Sequence, residues 1–146
     1  MVRSVLPLTL LPALAFGAAI RHFDVVASLV PARKAGAPTA VAVSFQALDP
    51  DLRLNENPAP RLTLDALQAV LVDKQVRPAA GAPDYDPLKA KYLDLARPVL
   101  FPVAISPVAP KGEQQVKASV VFFYCSQREA WCRRGTADVL IPVSVR

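Results

Sequence analysis

The chain is nearly without the groups on which most enzymes depend. It has one histidine, His22, and only five glycines. No Ser/His/Asp or Cys/His arrangement can be assembled around that lone imidazole near the start of the chain, so histidine-based hydrolysis is not expected. So few glycines leave no Gly-rich phosphate loop. Two cysteines and one histidine fall short of the usual four-ligand zinc site, and no metal is expected. Long apolar runs are also missing. The best, from Val5 to Phe16, is interrupted by Pro7 and Pro12 and is shorter than the roughly twenty residues of a membrane-spanning helix. Positive charge is present, at net +5, but it is dispersed: Arg33 and Lys34, Lys89 and Lys91, Lys111 and Lys117, then Arg128, Arg133 and Arg134. No run is dense enough for a nucleic-acid groove, and a solvated basic surface is the simpler reading.

What is there begins with a leader. One basic residue, Arg3, precedes the apolar stretch and is followed by small residues, the layout of a secretory signal peptide. Cleavage after Ala15, Gly17 or Ala19 satisfies the small-residue rule. The segment 1–19 is accordingly expected to be removed, leaving residues 20–146 as one exported or periplasmic domain with no stable membrane insertion. That compartment bears on the cysteines, because an even number in an oxidising environment is normally paired.

Fifteen prolines sit between short β-branched and aromatic runs, which favours many strands joined by turns. The strongest signals lie near the end. "QQVKASVVFFYC" puts Val116, Ala118, Val120, Phe122 and Tyr124 on one face, and "TADVLIPVSV" puts Ala137, Val139, Ile141, Val143 and Val145 on one face. That period of two is a strand signature. Paired as a hairpin, these strands leave "SQREAWCRRG", which follows Cys125 and contains Cys132, as the connecting loop, and Pro142 marks the last strand as an edge or a bulge. Earlier strands are expected from His22 to Leu29, Thr39 to Leu48, Arg61 to Leu64, Ala69 to Val72 and Pro98 to Ser106. Within "LTLDALQAVLVDK" a helical stripe competes with the strand pair, which is preferred. The result is all-β, an antiparallel sandwich of about seven strands or more.

Two carboxylate pairs, Asp49/Asp51 and Asp84/Asp86, sit in proline-bounded turns and read as turn caps. Chemistry is left to Cys125 and Cys132, which have six residues between them. Thiol chemistry needs little more than two sulfurs within bonding reach and a route for a thiolate. Closing the eight-residue ring stabilises the fold by about 2.5 kcal/mol in the chain-entropy model, a modest gain for a staple between adjacent strands. Arg128, Arg133 and Arg134 favour thiolate over thiol if they lie near the sulfurs. The residues alone leave a structural staple and a redox centre level.

At this point the chain resembles a known family, the N-terminal immunoglobulin-like domain of the transmembrane thiol:disulfide interchange reductase DsbD. Tyr124, Cys125, Trp131, Cys132 and Pro142 carry the match in "FFYCSQREAWCRRGTADVLIPVSV". Upstream, "DLRLNENPAP" resembles a family turn through Asn55, Asn57 and Pro58, and "DYDPLKAKYLDLARPVLFPVAIS" resembles its cap loop and a following strand. The resemblance implies an immunoglobulin-like sandwich that passes electrons by thiol–disulfide exchange. Its partner would be a periplasmic thioredoxin-like protein or a membrane thiol reductase, and no organic cofactor is required. Cys125 and Cys132 are then the redox pair, with Cys132 forming the mixed disulfide. Tyr85 falls at the cap position, and Trp131 either packs over the sulfurs or fills the core edge. The alternative is a non-catalytic interaction or scaffold module with a permanent disulfide.

Overall fold

The computed structural model describes residues 21–30, 36, 38–65, 70–73 and 91–146. Eight strands run through them: β1 (Phe23–Leu29), β2 (Pro38–Ala47), β3 (Leu52–Leu54), β4 (Arg61–Leu64), β5 (Leu71–Asp73), β6 (Val99–Ile105), β7 (Gly112–Ser126) and β8 (Trp131–Val145). All pairings are antiparallel. The all-β expectation holds among the described residues. One sheet has the order β1-β2-β6-β5; in the other, β7 pairs β8 on one side and β3 and β4 in turn on the opposite side. The sheets curl into a half-barrel, with β1 coming alongside β8.

Period-two alternation builds this arrangement. Along β7 the even-numbered residues Val116, Ala118, Val120, Phe122 and Tyr124 are all buried. On β8 their counterparts Val139, Ile141, Val143 and Val145 are buried as well. They join Val41, Val43 and Phe45 of β2 and Phe101, Val103 and Ile105 of β6 in one cluster. Full burial of a Val or Ile side chain contributes about 1.5–3 kcal/mol, so this cluster is the main source of stability. The weakest expected strands are met in part: "RLTL" pairs with β7 as expected, while the strand expected from Ala69 to Val72 is Leu71–Asp73, paired with β6.

Two expectations need correction. Leu52–Leu54, expected as loop, is the short strand β3, held by Tyr124 to Ser126. The ten-residue cysteine loop is also far smaller. Ser126 pairs with Trp131, so only residues 127–130 turn, and both cysteines are ladder residues directly opposite one another. The charged "CRRG" segment hides a strand that pairing with β7 supplies.

Candidate functional site: the disulfide at the end of the β7–β8 ribbon

Hydrogen-bond parity fixes what each cysteine faces. The Asn55 N–H donates to the Phe123 carbonyl at 2.8 Å, and the Asp65 N–H donates to the Lys117 carbonyl at 3.1 Å. Odd-numbered residues of β7 therefore turn their backbone groups toward β3 and β4, and even-numbered ones toward β8. Cys125 and Cys132 consequently form a non-hydrogen-bonded pair, the class in which side chains stand closest. Their Cα atoms are 4.0 Å apart and the sulfurs are bonded. By the same parity Pro142 directs its missing N–H to the free edge of β8, as an edge strand allows.

Alternation also sets the faces. Tyr124, Trp131 and Arg133 belong to the core side, whereas Cys125, Cys132 and Arg134 belong to the outer side of the ribbon. The two cysteines differ in burial: Cys125 is fully buried at 0% exposure, and Cys132 is only half-buried. Asn55 roofs the buried one, with Oδ1 lying 3.2 Å from Cys125 Sγ. Asn55 extends β3 and is held on both sides, by Phe123 and by an isolated bridge to Tyr92. The flanking bonds from Glu56 N–H to the Lys91 carbonyl and from Leu93 N–H to the Leu54 carbonyl, both 2.8 Å, complete that second side. Asn55 is itself 0% exposed. Its Nδ2 is the one buried side-chain polar atom without a hydrogen-bond partner among the described residues.

The turn is held from β3. Asp51 accepts from the Ser126 hydroxyl and, at 2.8 Å, from the Arg128 N–H, while Ser126 Oγ accepts from the Glu129 N–H at 3.1 Å. The Ser126 bond chiefly holds the Asp51 carboxyl below the usual carboxylate range; partial desolvation opposes it, and the Arg128 N–H and the Arg128 and Arg53 charges add to it. Asp49 caps the Asp51 N–H at 2.9 Å and pairs with Arg128 at 3.2 Å. Turn capping, as read from the sequence, is what these carboxylates do. Ala130 closes the turn in the left-handed region, at φ 55°.

On the core side the ribbon carries an aromatic box. Tyr124 shares a 2.6 Å hydrogen bond with His22 Nδ1. Trp131 lies 5.7 Å from the Tyr124 ring and 5.6 Å from the His22 ring, and its Nε1–H donates to Glu129 at 2.7 Å. Burial pushes the Tyr124 phenol up, against the opposing charge of Arg133. Phe122 packs on Phe23 and Phe45. Gly135 stands opposite Phe122, where a Cβ would come within 2.5 Å of the ring, so the strand needs glycine here for close approach.

The sequence-derived site is thus brought together only in part. Cys125 and Cys132 meet. The contacts of Trp131 lie on the core side, away from the sulfurs, and fill the core edge. The three arginines do not converge: Arg128 engages Asp49, Arg133 stacks 4.1 Å above Trp131, and Arg134 alone shares the outer face. Tyr85 and the segment 1–19, expected as a signal peptide, lie outside the described residues. Asn55, which the sequence offers only as part of a turn motif, is the residue that touches the buried sulfur. No protein-family model and no curated protein matches the chain.

Proposed function

We propose that the chain is an exported thiol–disulfide exchange domain, working through Cys125 and Cys132 with a periplasmic thioredoxin-like protein or a membrane thiol reductase. The observation that carries this reading is the unequal burial of the two cysteines. An exchange centre needs one sulfur open to an incoming thiolate and another that leaves and later resolves. Half-buried Cys132 suits the first role and fully buried Cys125 the second. The family resemblance in the motif around Tyr124, Cys125, Trp131 and Cys132 supports the same assignment, together with its finer description of the fold as an immunoglobulin-like sandwich.

The step is balanced as follows. A thiolate of a reduced partner attacks Cys132 Sγ, the Cys125–Cys132 bond breaks, and its electron pair leaves on Cys125. The partner's second thiol, losing its proton, then displaces Cys132, leaving this chain a dithiol and the partner a disulfide. Run in reverse, Cys132 attacks a partner disulfide and Cys125 resolves the mixed species.

Mixed-disulfide trapping tests this. Reduced Cys125→Ser protein, offered an oxidised thioredoxin-like protein, is expected to accumulate a mixed disulfide through Cys132, while Cys132→Ser protein accumulates none. Trapping by neither variant overturns the reading. A second reading, the permanent staple in a scaffold module, is favoured by the complete burial of Cys125 within the long β7–β8 ladder. It predicts that outcome.

A further inference from the structure

Asn55 presents two unsatisfied features in one side chain. Its Oδ1 lies 3.2 Å from Cys125 Sγ, yet a disulfide sulfur has no proton to donate, so two acceptors face each other there. Its Nδ2 is buried and has no partner among the described residues. A buried donor left unmade is costly, and what a turned amide would meet in the oxidised site is a disulfide sulfur, a weak acceptor. The main chain of Asn55 is held by Phe123 on one side and Tyr92 on the other, and the residue is 0% exposed, so the amide is out of contact with water.

Opening the Cys125–Cys132 bond changes what the amide meets. A Cys125 thiol donates S–H to Oδ1. A Cys125 thiolate accepts from Nδ2 once the amide turns over, and the two ends of a carboxamide are close enough in shape for that turn to need no other movement. We propose that Asn55 is the group that receives the leaving sulfur of Cys125, donating Nδ2–H to the thiolate formed when a partner thiolate attacks Cys132. Asn55 is then a catalytic residue that contacts a reacting atom, and it favours the reduced state because a thiolate is a far stronger acceptor for Nδ2–H than a disulfide sulfur. The inference rests on the exchange reading and assigns the stabilisation of its leaving group, since a stabilised thiolate leaves faster.

The test uses the Cys132→Ser protein, in which Cys125 is a free thiol. As pH rises through thiolate formation, read by ultraviolet absorbance, the Asn55 side-chain amide signal in an NMR spectrum is expected to move with the same midpoint. Asn55→Leu and Asn55→Asp, introduced into that background, are expected to raise the midpoint by about one unit, as loss of a hydrogen bond to a charged group predicts. With both cysteines present, each substitution is expected to slow reduction by dithiothreitol about threefold. An amide signal that stays flat through the titration, or a midpoint that neither folded variant moves, overturns the assignment. The amide measurement needs no change at Asn55, so a variant that fails to fold does not remove the test. Failure here leaves mixed-disulfide trapping by Cys125→Ser intact, whereas failure of the exchange reading abolishes the trapping itself.

Discussion

The two faces of the β7–β8 ribbon at its hairpin end make opposite use of the same ladder. On the core side Phe122 packs on β1 and β2, Tyr124 packs on β1, Gly135 makes room for Phe122, and the polar tips are paired, Tyr124 with His22 and Trp131 with Glu129. On the outer side Cys125, Cys132 and Asn55 hold a bond between two sulfurs beside an amide whose donor is unused. Full satisfaction favours one state, and a site satisfied better in a second state is poised to change. The core face accordingly stabilises the fold, and the outer face is where chemistry is to be sought.

Substitutions should separate the faces, most strongly in the aromatic core. Phe122→Ala removes a buried ring that touches Phe23, Phe45 and Tyr124, and is expected to cost about 3–5 kcal/mol. A denaturant midpoint reads that loss, while the folded fraction should still form mixed disulfides through Cys132. A Phe122→Ala protein that folds but loses exchange would break the division between faces. Next in size, removing the disulfide with Cys125→Ala and Cys132→Ala together should cost about 2.5 kcal/mol, the chain-entropy value for so short a ring. Because the ladder on both sides already aligns these residues, a cost well above that, measured by the same denaturant series, would favour the staple.

How much of this was legible in advance depends on where the forces act. β7 and the second half of β8 announce themselves because one face is buried, from Val116 to Tyr124 and from Val139 to Val145, which writes period two into the sequence. β3 does not. Three residues between "DPD" and "NENP" carry no periodic signal, and their strand geometry comes from pairing with Tyr124 to Ser126. The first residues of β8 are hidden for a related reason: Arg133 is on the core-side register yet sits over Trp131 at the rim, so the polar pattern there mimics a loop. The cysteine pair is visible as a pair, but its unequal burial is not, and neither is Asn55 beside Cys125, which the pairing of β3 with β7 brings there. Spacing alone also suggested arginines around the sulfurs. Strand alternation sends Arg133 to the other face, and the turn sends Arg128 to Asp49.

Smaller effects belong to the turn that joins the faces. Ala130 holds a positive φ of 55°, a conformation costing an L-residue about 1–2 kcal/mol that glycine avoids. Ala130→Gly is expected to raise stability by about 0.5–1 kcal/mol after the added freedom of the unfolded chain is subtracted, as thermal unfolding would show. No gain would mean that this backbone is not strained in solution. The least expected effect is pH-dependent. Native Asp51 holds its carboxyl below the unfolded value of 3.8, so its contribution is present above that value and fades as pH falls through the native one. Unfolding followed across acid pH should therefore be steeper in the wild type than in Asp51→Asn, and equal slopes would remove Asp51 from the turn's stabilisation.

The claim that the outer face exchanges its disulfide is tested most directly by the reduction potential of Cys125–Cys132, obtained by equilibrating the protein with glutathione and thioredoxin buffers. An exchanging pair is expected in the range of known oxidoreductases, about −120 to −270 mV. A bond that stays oxidised throughout that range, with a potential below about −300 mV, contradicts it and leaves the disulfide a structural staple.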